Sequence, residues 1–320
     1  MRTKNQSTTD WASLALVVPP VLIFIGSDLL LAWFGWYGLA PLPSLAPQPH
    51  ADAAGRLYIL SALLAACGVS FLTLVLFARD LVAEFDARMR RLLLLTLLTG
   101  LVVGSLWMTL SGRYFAVLAN PLGIDVVGKA TELFGSVTDG DRDAKIVATR
   151  LDTLIFVARA GLMIGAALTI VGAVSCLVRP LPPPAAKARA FLLRQRLRLR
   201  LYVNAAAALM VASIVFQLAW TRWPQALFEP AAAKAFSAHV DAFALYSGVT
   251  SSLVIASFAV PVVAGLRARA AALTEEGEDA EAPVLLDAGL MDGLGKILVV
   301  LAPALAGILP TIADLLQLRS

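Results

Sequence analysis

Histidine and cysteine are nearly missing from this chain: His50 and His239, Cys67 and Cys176, in 320 residues. Two cysteines, each inside an apolar run, give no disulfide framework and no metal-ligand spacing. The two histidines do not lie on facing apolar segments, as ligation of a haem across a bilayer requires. No Gly-rich phosphate loop, His-Glu metal motif or nucleophile elbow occurs. The acidic turn at 139–150, "DGDRDAKIVATR", resembles a calcium loop only in its first carboxylates. Its sixth and twelfth positions hold Ala144 and Arg150 where such a loop needs Gly and Glu. No catalytic residue, metal or cofactor is therefore assigned, and the sequence is read as that of a non-enzyme.

Charge is also scarce. Asp, Glu, Lys and Arg make up 15% of residues and apolar side chains 59%, against about 25% and about 45–50% in soluble domains. The apolar residues come in blocks near the ~20 residues that a helix needs to cross ~30 Å of hydrocarbon. These blocks predict spans at 11–36, 57–77, 92–110, 154–178, 201–220 and 243–266. A seventh block, 297–316, carries Pro303, Pro310 and Asp314, so a full crossing competes with a re-entrant or interfacial segment. The first block is too long for a signal-peptide core and ends in aromatics, so it is expected to be retained.

Fold class follows: an all-α polytopic bundle of six or seven transmembrane helices. The basic residues set its orientation, because Lys- and Arg-rich loops stay in the cytoplasm. Arg2 and Lys4, then Arg79, Arg88, Arg90 and Arg91, then the arginines of 179–200 fall on one side, whereas the first connection has Arg56 alone and the fifth only Arg222 and Lys234. The N-terminus is therefore expected in the cytoplasm of a bacterial cell, with the chain in its inner membrane. Trp33, Trp36, Trp107, Trp220 and Trp223 then gather at the outer face, as an interfacial belt would. The long connection 111–153 is assigned outside despite its five basic residues. Within it Ile124, Val127, Thr131, Phe134 and Val137 fall at helical spacing and predict a short interfacial helix.

The chain divides into a six-helix body at 1–266, an acidic cytoplasmic tether at 267–296 and the C-terminal apolar segment at 297–320. The second and third spans are expected to form one hairpin, the fourth and fifth another. The basic loop 179–200 suits anionic lipid headgroups, although ordinary positive-inside anchoring explains the same arginines. The pairs Gly100 and Gly104, and Gly161 and Gly165, have the spacing of close-packing seams.

What remains for function is the few polar groups inside the spans. Asp28 sits in "IFIGSDLLLAWFGW" and Arg159 in "LIFVARAGLMIG". Each such charge costs ~2.5–3.5 kcal/mol on insertion scales and usually finds a partner. Counted from the outer side at 1.5 Å per residue, both lie roughly 10–12 Å deep, so an Asp28–Arg159 ion pair is expected. Asn204, Gln217, Ser247, Thr250 and Ser257 are candidates to line a polar pathway. Pro261, Pro303 and Pro310 are candidate gates or hinges. The leading expectation is passage of an ion or small solute, alone or as a homo-oligomer. The alternative is a membrane-embedded sensor, scaffold or effector subunit, for example of a stress or defence system, acting through a protein partner. Nucleic acid is not an expected partner.

Overall fold

The computed structural model describes residues 12–34, 49–114, 141–182 and 185–275. These form six long helices: α1 (Val18–Phe34), α2 (Pro49–Glu84), α3 (Ala87–Tyr114), α4 (Asp141–Val178), α5 (Ala185–Arg222) and α6 (Pro230–Glu275). Each contains a stretch long and apolar enough to cross a membrane. The predicted segment 297–316 with Pro303 and Pro310, the interfacial helix around 124–137 and the tether beyond 275 lie outside the described residues.

Local chemistry sets the helix ends. A 3₁₀ turn (Ala15–Val17) leads into α1, whose first turn holds Pro19 and Pro20, where a missing N–H costs nothing. Pro49 and Pro230 open α2 and α6 in the same way. Only Phe85 and Asp86 separate α2 from α3. Asp86 caps α3 by accepting the Met89 N–H at 2.8 Å, a bond that satisfies one of the orphan donors of a helix start. Arg90 folds back to donate to the carbonyls of Phe85, in the junction, and Val82, in the last turn of α2. At the other end of the molecule, α5 gives way to a 3₁₀ turn (Trp223–Leu227), where Pro224 prevents the helix from continuing.

α4 and α5 are the central helices. α5 packs on α2, α4 and α6, and α4 on α2, α3, α5 and α6. α1 packs chiefly on α6, and α3 on α4. The expected hairpin of the fourth and fifth spans is thus present as α4 and α5. The second and third spans are likewise joined by a short turn, as α2 and α3, but pack little on each other: α2 joins the centre, while α3 lies against α4. The two-residue junction turns the chain, but α2 spends its packing surface on α4 and α5.

One core fills the end where α2 meets α3 and α4 meets α5, built on Leu93, Val174, Tyr202, Phe258 and Val262. A second core, around Ile59, Phe216, Trp220 and Trp223, fills the opposite end. We call these the arginine end and the tryptophan end. Trp220 and Trp223 are buried: their rings fill this second core and Trp223 Nε1 donates to Asp52 Oδ1 at 2.7 Å. The outer faces of α1, α2 and α3 are apolar and bare, with Trp33 79% exposed and Leu64 72%. Such a surface suits hydrocarbon rather than water.

Close approach of α4 to its neighbours depends on glycine. A Cβ at Gly172 would fall 2.2 Å from Tyr202 Cε1, and one at Gly165 would fall 2.8 Å from a Leu209 methyl. Gly104 and Gly161 make looser contacts with Met163 and Ser70, and Gly100 meets nothing within 4 Å. Pro261, a candidate hinge, lies inside α6 without ending it.

Candidate functional site

Two polar groupings stand out among the described residues, one toward each end. The first, at the tryptophan end, is bounded by α1, α3, α4 and α6. Asp28 of α1 accepts a hydrogen bond from Trp107 Nε1 of α3 at 2.9 Å. On the next residue, the Ser27 carbonyl accepts the Tyr246 hydroxyl of α6 at 2.6 Å. Tyr246, Thr250 and Ser257 are spaced by four and seven residues, so they share the face of α6 that Tyr246 turns toward α1. Ser257 returns its own hydroxyl proton to the Val254 carbonyl. Ser247 is half-buried on the adjoining face.

Arg159 comes to this quarter from α4. It stands eighteen residues before Leu177, about five turns at 3.6 per turn, hence on the same face. Leu177 packs where a Cβ on Gly265 of α6 would sit, and Met163, one turn from Arg159, packs at Gly104 of α3. By register Arg159 therefore falls on the α4 face that those contacts turn toward α3 and α6. Its level can be set from the same contact. Trp107 lies three residues beyond Gly104 and Arg159 four residues before Met163, about 4.5 and 6 Å toward the tryptophan end.

The expected Asp28–Arg159 ion pair is not formed: no salt bridge joins them, and Trp107 holds the carboxylate. The physical reason is azimuth. α1 docks on α6 rather than α4, so α3 supplies the nearest donor. Arg159 stays exposed, and among the described residues it has no ion pair. A guanidinium with accessible surface inside an apolar segment is an open cationic position.

The other proposed pathway residues do not converge here. Asn204 lies exposed on α5, and Gln217, also on α5, is half-buried with its Nε2 unbonded among the described residues. α5 packs against α2, α4 and α6, on the far side of α4 from α3.

The second grouping, at the arginine end, was not anticipated. Asp80 of α2 and Arg198 of α5, each with a side chain 5% exposed, pair at 2.8 Å. Asp80 also accepts from Arg79 at 2.9 Å and from the Tyr202 hydroxyl at 3.2 Å. Arg198 further donates to Gln195 Oε1 at 2.7 Å and Ser175 Oγ at 3.3 Å, and lies over the Phe85 ring. Beside it Glu84 faces Arg179 and Arg194 at 3.5 and 3.7 Å. Arg269 of α6 donates to the carbonyls of Leu177 and Arg179, just where α4 ends. The ends of α2, α4, α5 and α6 are thereby clasped together.

The sequence carries a signal for this cluster. Ala188, Leu192, Gln195, Leu199, Tyr202, Ala206 and Leu209, all buried, repeat at alternating steps of four and three, the seam of a packed helix. That stripe puts Gln195 and Tyr202 inside and Arg198 at its edge. Two further ion pairs, Arg222 with Asp241 and Arg56 with Asp52 at 2.7 Å, close the tryptophan end. No group of His, Cys, Asp or Glu among the described residues has the arrangement of a metal site. Comparison with protein-family models, curated proteins and solved structures finds no match for this chain.

Proposed function

We propose that the chain is a multi-pass protein of a bacterial inner membrane that passes or gates an ion or small solute along the quarter bounded by α1, α3, α4 and α6. One observation carries this reading: Arg159 keeps accessible surface and has no ion pair among the described residues, and by helix register it falls on the α4 face turned toward α3 and α6, near the level of the Asp28–Trp107 hydrogen bond. A structural arginine inside a span is normally paired or bonded to backbone, because hydrocarbon makes an unpaired charge costly. Tyr246, Thr250 and Ser257 continue a polar line along α6. In this proposal the arginine end lies in the cytoplasm, against anionic headgroups, and the tryptophan end outside.

The test is flux into liposomes holding the purified protein and a potential-sensitive dye. Wild type is expected to dissipate an imposed potential, and Asp28→Asn and Arg159→Gln, checked for folding, to change the rate severalfold. Folded wild type without flux removes the pathway reading.

A second reading has its own support. The clasp around Asp80 and Arg198 ties four helices at the end that the orientation rule places inside the cell. This is where a sensor or effector subunit would present a surface to a protein partner. Dependence of any cellular effect on a co-purifying protein, with no flux from the pure chain, favours it.

A further inference from the structure

We propose that Arg159 anchors an oxyanion, a carboxylate, sulfate or phosphate group that belongs to the transported or bound species rather than to the protein. The inference deepens the pathway reading by naming its substrate class. The donors around the gap set the chemistry. Asp28 is the carboxylate at this level, and it is engaged by Trp107. Tyr246 spends its proton on the Ser27 carbonyl. The guanidinium is left as the open group, and its planar fork matches two oxygens of one oxyanion side by side. A halide or a simple cation makes no use of that fork. Arg159 itself disfavours a simple cation at its own level, since it repels positive charge.

The oxyanion has two possible sources, a lipid headgroup reaching down from the interface or a small soluble anion, and the test separates them. Protein purified in a maltoside detergent, which has no phosphate, is unfolded by heat with rising sulfate or acetate against chloride at constant ionic strength. In parallel, the retention of phosphatidylglycerol over phosphatidylcholine is read by native mass spectrometry.

Wild type is expected to show a saturable rise in midpoint with an oxyanion but not chloride, or preferential retention of phosphatidylglycerol. The first outcome names a soluble ligand and the second a headgroup. Arg159→Gln should abolish whichever response occurs. Arg159→Lys, which keeps the charge and loses the fork, should weaken it at least ~10-fold. Equal responses in wild type and Arg159→Gln, an undiminished response in Arg159→Lys, or no response in either arm overturns the proposal. Because the readout is binding, its failure is distinct from that of the flux test. Binding without flux keeps the site and sinks the pathway, and flux without binding does the reverse.

Discussion

Asp80 and Arg198 show how unequal the two halves of a buried ion pair can be. Arg198 has one carboxylate, whereas Asp80 also accepts from Arg79 and Tyr202. Removing the carboxylate strands a buried cation; removing Arg198 leaves Asp80 with other donors. Asp80→Asn is therefore expected to cost about 3–5 kcal/mol, the range for breaking a buried pair, and Arg198→Gln clearly less. Replacing both by apolar residues, Asp80→Leu with Arg198→Met, should recover most of the loss, because such replacements are often near neutral. Thermal unfolding in detergent orders the three variants, and Arg198→Gln proving the costliest would contradict the asymmetry. The sequence revealed Asp28 because a lone carboxylate is conspicuous in "IGSDLLL". It concealed Asp80 in "FARDLVAE" and Arg198 in "RLRLRLYV", since charge at the margin of a span is what the orientation rule already demands. The Asp28 partner was misjudged for a different reason. Depth along a helix can be counted from sequence, but which neighbour lies around its axis depends on packing.

Between helices, the glycines of α4 separate seams from open faces. Gly172→Ala places a methyl group inside the Tyr202 ring. It should destabilise by about 1–3 kcal/mol, the cost of overpacking, and also disturb the Tyr202–Asp80 hydrogen bond. Gly26→Ala and Gly100→Ala meet nothing within 4 Å. They should be neutral or stabilising by up to ~1 kcal/mol, since glycine weakens a helix interior. Equal effects at Gly172 and Gly100, measured by the same unfolding assay, would count against the α4–α5 contact described here. Spacing alone predicted seams at Gly100/Gly104 and Gly161/Gly165, and it could not distinguish Gly100, open, from Gly165, which is tight against Leu209. The tightest position, Gly172, has no partner at the same spacing and so passed unnoticed. The span positions were legible because apolar block length is a property of single helices. The sparse packing of α3 on α2 was not, because which helix joins the centre is decided between elements.

For the molecule as a whole, the bare apolar faces of α1, α2 and α3 and the segregation of arginine and tryptophan ends make a single orientation testable. In a background with Cys67 and Cys176 replaced by alanine, cysteines at Arg88 and Lys187 should react with an impermeant reagent from one side of a sealed vesicle, and a cysteine at Ala231 from the other. Labelling of all three from one side would refute six crossings. The helices also outrun the bilayer: α4 has 38 residues and α6 46, about 57 and 69 Å at 1.5 Å each, against ~30 Å of hydrocarbon. On the proposed six crossings, the clasp and the tryptophan core would stand beyond the hydrocarbon at the two ends.

The seam between α1 and α3 has a consequence for how affinity must be measured. These two helices pack on different neighbours, and the Asp28–Trp107 hydrogen bond spans the gap between them. If the oxyanion proposed for Arg159 is carried by an amphiphile that enters by this seam, it would come from the surrounding lipid, where its concentration follows its partition coefficient. Its apparent dissociation constant, expressed per volume of water, should then drift with the lipid-to-protein ratio. Expressed as a mole fraction in the membrane, it should hold constant.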